Sequence, residues 1–183
     1  MIERIQFQDL PQGLAERLAP RVKRLGYFGE FFQCAAHQPE ALDAFMAFTE
    51  ATQNALPKKL AEVVSLTVAN WAGNAYERNQ HERLSVRLGY GRDWVQAVNA
   101  LAPAEQKLLA EDEKLVQATT LSVLNTQGRE SAPLFADLVR VLGQAQAVAA
   151  LMLIGRYFVH ACFVNTLGLE PPVPSIFEDG FSG

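Results

Sequence analysis

The sequence predicts an all-α protein. Residues that start and stop helices recur along its 183 residues, whereas the alternating apolar and polar runs typical of strands do not appear. The composition agrees, because 49% of the residues are hydrophobic and 20% are charged, which are ordinary values for a globular protein. A chain of this length can bury a core large enough to contain a pocket.

Prolines mark the helix starts in the first part of the chain. Pro39 and Pro57 each stand where a first helical turn tolerates proline, because the missing N–H would have had no partner there. Pro20 is expected to interrupt the helix that contains it. The helices predicted in this part are 14–25, 28–37, 39–54 and 57–72.

Glycines mark the helix ends in the remainder. Gly73, Gly89 and Gly168 each follow a segment of helical periodicity, at the place where a left-handed cap residue is common. The helices predicted here are 74–88, 91–101, 103–125, 131–142 and 144–167. With a loop at 127–130 and no linker or internal repeat, the chain is predicted to form one domain over 1–183.

The segment 171–183 is predicted to be an extended C-terminal arm, because a helix cannot continue past Pro171. Ile176 and Phe177 favour packing of this arm on a neighbour. Further upstream, the apolar stretch 147–155 is only nine residues long before Arg156 interrupts it. This length favours a buried core helix over a membrane span.

Charge and cysteine content exclude several partners and sites. A net charge of −4 provides no basic field for nucleic acid, and Arg21, Lys23 and Arg24 are interpreted as a solvated helix face. Cys34 and Cys162 are isolated, so both are predicted to be buried and unreactive. The N-terminal residues lack the build of a secretory signal, and a cytoplasmic location is expected.

Glu62 is the first candidate site residue. It is the only charged residue between Leu60 and Ala72, in a helix that is apolar on nearly every side and is therefore predicted to be central. A buried carboxylate needs a partner, and burial raises a carboxyl pKa toward values useful for proton transfer. The alternative is that Glu62 lies near the helix start and reaches solvent or Lys58.

The next helix carries Glu77 and His81 at the head of a stripe that continues to Leu84 and Leu88. Spacings of four, three and four keep these residues on one face, which is predicted to point inward. The opposite face is interpreted as solvated. It holds Arg78, Glu82, Arg83 and Arg87.

A structural role is a competing interpretation of both residues. Asn74 is a good N-cap, and Glu77 stands three residues later, where a capping-box carboxylate reaches back to the cap N–H. Capping does not account for His81, which is placed to pair with Glu77 and has an ordinary pKa near 6.5. A lone core histidine can still be purely structural.

The segment LPKKLAEVVSLTVANWAGNAYERNQHERLSVRLG resembles the signature helices of the carboxymuconolactone decarboxylase and alkylhydroperoxidase D-like (AhpD-like) superfamily. In its thiol-active members a glutamate is followed, after eleven intervening residues, by Cys-x-x-Cys, and a histidine stands four residues beyond the second cysteine. Here these positions hold Glu62, Asn74, Glu77 and His81.

The resemblance extends over about residues 25–172, because AAHQPEALDAFMAF and LIGRYFVHACFVNTLGLEPP are similar to further helices of the superfamily. It implies an AhpD-like helical bundle with orthogonally packed helices. It also implies a homo-oligomer, either a dimer, a trimer or a hexamer.

The departure from the superfamily pattern determines which chemistry is open to this chain. Asn74 and Glu77 cannot form a disulfide or attack a peroxide, and Tyr76 between them offers only a weak acid. Thiol peroxidase activity through this motif is therefore excluded unless Cys34 or Cys162 substitutes.

The preferred hypothesis is a cofactor-free acid–base enzyme in which Glu62, Glu77 and His81, with Tyr76, move protons on a small carbonyl or lactone substrate. The decarboxylase branch supplies the analogy. The rival hypothesis is a non-catalytic helical oligomer, or a ligand-binding protein, that keeps the polar cluster as a hydrogen-bond network. A metal held by the two carboxylates and the imidazole is disfavoured, because only one histidine is nearby.

Overall fold

The computed structural model describes residues 2–178 and 181, and every regular element in that part of the chain is a helix. The all-α prediction is therefore confirmed. The α-helices are α1 (Gln12–Leu25), α2 (Glu30–Ala35), α3 (Pro39–Asn54), α4 (Lys58–Trp71), α5 (Ala75–Arg87), α6 (Arg92–Asn99), α7 (Glu111–Thr126), α8 (Ala132–Leu142) and α9 (Gln144–Leu167). Short 3₁₀ helices cover Phe7–Asp9 and Pro103–Glu105.

Two helix predictions are wrong. Helix α1 continues through Pro20, which is exposed, so water can replace the hydrogen bond that this proline cannot donate. The predicted helix 103–125 is broken, and α7 begins only at Glu111 because the Glu113 carboxylate accepts the N–H of Ala110 at 3.0 Å. Leu101 also has a left-handed backbone (φ 54°), which ends the preceding segment.

The described chain contains two compact units, Met1–Glu50 and Ala51–Gly183. In the first, Leu14, Leu18, Phe31, Phe32, Cys34, Leu42 and Met46 are buried. Cys34 is thus buried as predicted, and burial raises the pKa of its thiol. The single-domain assignment stays a prediction.

Helix α4 is the centre of the second unit, as its composition predicted. Every residue from Leu60 to Ala69 is buried, and α4 packs against α5, α6, α7 and α9. Because α4 is surrounded by other helices, any polar side chain on it must find its partner inside the protein. This position explains why Glu62 has no route to solvent.

Helix α9 has one buried face and one exposed apolar face. Among the described residues, α9 is the one helix long and apolar enough to cross a membrane, although 56% of its most apolar 18 residues are buried inside the protein. The prediction of a buried core helix is confirmed for one face only, since Met152 and Val159 are exposed while Arg156 and His160 are buried. Cys162, predicted to be buried, is also exposed.

The C-terminal segment folds back onto α5 of the same chain. The Ser175 hydroxyl and the Ile176 N–H donate to Glu82 Oε2 at 2.6 and 3.2 Å, and Ile176 is fully buried. The interpretation of Glu82 as part of a solvated face is therefore wrong. Residues 179, 180, 182 and 183 of the predicted arm lie outside the described residues.

Candidate active site

Glu62 is buried on α4 and binds His81 on α5. Its Oε2 lies 2.8 Å from His81 Nδ1 and accepts a hydrogen bond from the Ser85 hydroxyl at 3.3 Å. Only 5% of Glu62 is exposed, so the alternative in which it reaches solvent or Lys58 is wrong.

His81 has a partner on each ring nitrogen. Nδ1 faces Glu62 and also lies 3.0 Å from the Ser65 hydroxyl, while Nε2 lies 3.2 Å from the Tyr157 hydroxyl. Burial by itself lowers the pKa of His81, but the Glu62 charge and the hydrogen bonds to Glu62 and Glu77 raise it well above its usual value. The raised pKa favours the imidazolium form of His81 at neutral pH.

Glu77 has two structural roles, because its backbone N–H is capped by Asn74 and its carboxylate forms a buried ion pair. Its N–H donates to Asn74 Oδ1 at 3.2 Å, which confirms Asn74 as the N-cap of α5. The reciprocal half of a capping box is absent here, because the N–H of Asn74 donates to Ala69 O instead. The Glu77 carboxylate contacts Arg156 Nη1 at 2.8 Å, His160 Nε2 at 3.3 Å and His81 Nε2 at 3.6 Å.

The neighbours of Glu77 decide its protonation state. Burial alone raises the pKa of Glu77, but the adjacent His160 and Arg156 side chains hold it well below the usual value. Glu77 is therefore a carboxylate at neutral pH. With Glu62 it forms a buried cluster in which the charges of Arg156 and His81 offset two carboxylates.

Three members of this cluster, all on α9, are not among the site residues predicted from the sequence: Arg156, Tyr157 and His160. Arg156 and His160 are one helical turn apart and are 3% exposed each. A signal was available: a charged residue and a histidine one turn apart in an otherwise apolar helix need buried partners.

The predicted inward stripe of α5 is only half right. Glu77 and His81 do point inward, but Leu84 is only partly buried and Leu88 is 37% exposed. Ser85 takes the inward position one turn after His81 and is fully buried. The buried stripe of α5 therefore follows a spacing of four residues and consists of Glu77, His81 and Ser85, which are all polar.

A cavity of about 310 Å³ lies beside this cluster. Asn74 and Tyr76 line one side of it, and Val164, Asn165 and Gly168 line the other. Of the predicted site residues, Tyr76 borders the cavity, while Glu62, Glu77 and His81 are buried and do not line it.

His160 connects the cavity wall to the buried cluster. Its Nδ1 lies 3.5 Å from Asn74 Nδ2, and its ring centroid lies 6.0 Å from that of Tyr76. Since Nε2 of the same ring contacts Glu77, polar contacts run from Asn74 through His160 and Glu77 to His81.

A metal site receives no support from this geometry. In the part of the chain that the structure describes, no group of three or more His, Cys, Asp or Glu side chains could hold a metal ion. The carboxylate of Glu77 is already bound to the permanent cation Arg156.

No family model and no curated protein matches this sequence, but solved structures do. The AhpD core of an uncharacterised peroxidase-related protein from Ralstonia eutropha matches with a TM-score of 0.77 at 17% identity, covering 91% of this chain and 88% of that chain. The debrominase Bmp8 in its apo form matches with a TM-score of 0.79 at 16% identity, covering 94% and 92%.

Bmp8 has also been crystallised as a cysteine-to-alanine variant in complex with 2,3,4-tribromopyrrole. That structure matches with a TM-score of 0.77 at 16% identity, covering 93% of this chain and 90% of that chain. At these identities the matches establish the fold, and they confirm the AhpD-like resemblance at that level.

Proposed function

We propose that this chain, which has the AhpD-like fold without the paired thiols, is a cofactor-free acid–base enzyme that binds a small carbonyl or lactone compound beside Asn74 and Tyr76. The observation that carries the proposal is the line of polar contacts from the cavity wall through His160 to Glu77 and His81. The cytoplasmic location expected from the sequence stays a prediction.

Asn74 is suited to hold a carbonyl oxygen. Its Oδ1 accepts the N–H of Glu77, so its amide nitrogen is the atom near His160, and one of its two N–H groups is left for a ligand. The cavity wall also includes the start of α5, whose helix dipole favours negative charge. An enolate oxygen formed in the cavity would be stabilised by both features.

His160 is suited to accept a proton. Because its Nδ1 faces the Asn74 amide donor, its Nε2 carries the hydrogen and donates to Glu77. In the proposed step, a C–H bond next to the substrate carbonyl breaks, its electron pair forms the enolate, and the proton passes by way of the Tyr76 hydroxyl to His160. The Glu77 carboxylate stabilises the resulting imidazolium, as the carboxylate of a catalytic triad does.

Glu62 and His81 do not line the cavity, and they act through Glu77. The His81 imidazolium, held between Glu62 and Glu77, fixes the position of the Glu77 carboxylate and balances its charge. The proposed roles therefore change from those expected for the sequence: Tyr76 and His160 move the proton, while Glu62, Glu77 and His81 position and charge the site.

A panel of small lactones, β-keto acids and hydroperoxides would test the proposal with the purified protein and its Tyr76→Phe and His160→Asn variants. Loss of a general acid or base lowers kcat/KM by about 10²–10⁴-fold, which is the expected effect of each substitution. Tyr90→Phe is the matched control, since Tyr90 does not line the cavity. Unchanged turnover in both site variants would refute the assignment.

A second candidate function is ligand binding without turnover. The observation that favours it is the complete partnering of the buried groups, since both ring nitrogens of His81 and both carboxylate oxygens of Glu77 have contacts. Such a network can be purely structural. Compounds that raise the melting temperature of wild type but not of an Asn165→Trp variant, and that are recovered unchanged, would support this second function.

A further inference from the structure

The side of the cavity that α9 and the following residues form carries two hydrogen-bond acceptors without donors. The Asn165 side chain donates from Nδ2 to Ala72 O at 2.8 Å, and no described residue donates to its Oδ1. Within the described chain, the Glu170 carboxylate has no ion pair and no hydrogen bond. Both side chains line the cavity and both are exposed. A ligand group that donates hydrogen bonds and carries positive charge is the partner that such acceptors bind best.

The charge of the cavity lining has one sign. Glu170 is the one charged residue among those that line the cavity, and no lysine, arginine or histidine is among them. The buried cluster adds little to this field, because the charges of Arg156 and His81 offset those of Glu77 and Glu62. A cleft lined by charge of one sign raises the local concentration of ligands of the opposite sign. The lining therefore favours cations over free carboxylates.

Two helix C-termini act in the same direction. Helix α4 ends at Trp71 and α9 at Leu167, and the glycines that follow them, Gly73 and Gly168, line the cavity. The C-terminal end of a helix carries partial negative charge, which a basic residue in the last turn can offset. Neither helix has a basic residue in its last turn. The start of α5, whose dipole has the opposite sign, lies on the side of Asn74.

We propose that the substrates of this site are small carbonyl compounds that also carry an ammonium group. The carbonyl oxygen lies beside Asn74, and the cationic nitrogen lies beside Asn165 and Glu170, which line the other side. The volume of about 310 Å³ is at the lower end of the range of ligand pockets, so one short compound can reach both sides. This inference rests on the proposed function, because it assigns the substrate class of the same cavity.

Three small ketones would test the charge preference through binding alone. Acetonyltrimethylammonium carries a fixed positive charge, methyl neopentyl ketone is its neutral isostere with carbon in place of nitrogen, and levulinate carries a carboxylate. Isothermal titration calorimetry should show the tightest binding for the cation and the weakest for levulinate. The cation should bind at least about five-fold more tightly than its isostere, which is the effect of one charge pair at about 4 Å even in water. Added salt should reduce this ratio.

Substitutions of Glu170 would separate its charge from the fold. Glu170→Gln should bring the affinities for the two isosteres close to equal, and Glu170→Lys should make levulinate the tightest-binding ketone. Because Glu170 is exposed and pairs with no described residue, both variants should keep the melting temperature of wild type. Glu130→Gln is the matched control, since it removes the charge of an exposed glutamate that does not line the cavity. It should leave the order of the three affinities unchanged.

Four results would overturn the inference. These are equal affinities of wild type for the two isosteres, tighter binding of levulinate than of the cation, a preference that Glu170→Gln leaves intact, or binding of none of the three ketones at about 10 mM, above the millimolar range of weak ligands.

The proposed catalysis would be measured separately with the same ketones. In heavy water, NMR follows the exchange of the protons beside the carbonyl for deuterium, and the rate without protein is subtracted. Tight binding of the cation with no exchange above that of Tyr76→Phe would contradict the acid–base function, whereas the charge preference would be supported. Exchange that requires Tyr76 and His160, with equal affinities for the two isosteres, would contradict the charge preference alone.

Discussion

Helix α5 holds two buried carboxylates with opposite kinds of partner. Glu77 contacts the side chains of Arg156 and His160, both of which can carry positive charge. Glu82 accepts instead from neutral groups, the Asn99 amide at 2.9 Å, the Ser175 hydroxyl at 2.6 Å and the Ile176 N–H, while Arg78 stays at 3.6 Å.

The difference separates a candidate site, around Glu77, from a structural clamp. The clamp consists of Glu82 and the groups of Asn99, Ser175 and Ile176 that donate to it. Around Glu77 the partners can themselves titrate, and one of them, His160, contacts the cavity wall. Around Glu82 the partners have fixed protonation states and tie the C-terminal segment to α5. A buried carboxylate therefore indicates function only when its partners can exchange protons or reach a ligand.

Removing the neighbouring arginine from each carboxylate should give the largest difference in unfolding free energy between two variants. Arg156→Met leaves Glu77 buried without its permanent positive charge and should cost about 3–5 kcal/mol of unfolding free energy. Arg78→Met is the matched substitution beside Glu82 and should cost about 1 kcal/mol or less, since Arg78 is partly exposed and 3.6 Å away. Urea denaturation would measure both, and equal losses would remove the distinction between the two carboxylates.

Changing the Glu82 clamp should have a more local effect. Glu82→Gln places an amide NH₂ group against groups that are themselves hydrogen-bond donors. Leaving these buried donors without an acceptor should cost about 1–3 kcal/mol of unfolding free energy. The C-terminal segment should detach, so protease cleavage between residues 171 and 178 should increase. Gln80→Glu, at a nearby position on α5 outside the clamp, should leave the cleavage rate unchanged.

The charged cluster should also appear in the pH dependence of stability. The pKa of His81 is raised in the folded protein, so its stabilisation is fully present below about pH 6.5 and is lost as the pH rises through the folded pKa. The unfolding free energy should fall there by up to about 1.4 kcal/mol per pH unit. His81→Gln should abolish this slope, whereas His37→Gln should retain it.

Glu77 should produce the opposite slope in acid. Its pKa is lowered on folding, so its stabilisation is present above about pH 4.3 and is lost as the pH falls through the folded pKa. NMR titration of the Glu77 carboxyl and the His81 ring would measure the two values directly. A His81 pKa at or below 6.5 would contradict the proposed imidazolium.

The smallest expected effect concerns one hydrogen bond of the clamp. Ser175→Ala removes the hydroxyl donor to Glu82 but leaves the Ile176 N–H in place, and should cost about 1 kcal/mol. Ser122→Ala, which removes a partly buried hydroxyl that pairs with Ser131, provides a matched control. Thermal unfolding monitored by circular dichroism would compare them, and increased cleavage of the C-terminal segment should accompany only the first.

Local sequence signals were enough to predict most of the helices. The bounds of α3 and α9 agree with their predictions because a proline or a glycine fixes each start and end within a few residues of sequence. The loop before α7 was missed because the Glu113 side chain, which fixes the helix start, is equally compatible with a longer helix.

The candidate site was only half predictable for a physical reason. Glu62, Glu77 and His81 could be predicted to act together because they lie on two consecutive helices with inward-facing positions. The partners of Glu77, in contrast, lie 79 and 83 residues away in α9, and no local pattern encodes such a contact. The prediction for Glu82 was wrong for the same reason, since two of its three donors are 93 and 94 residues later.

The order of synthesis gives these long separations a consequence for the nascent chain. While α4 and α5 leave the ribosome, Glu77 and Glu82 have met none of their α9 or C-terminal partners, so both carboxylates must remain hydrated. The interior around α5 can close only after residues 156, 160, 175 and 176 have been made. A translational pause before α9 would therefore prolong the exposure of α4, whose residues 60–69 are all buried in the folded protein, to chaperones and proteases.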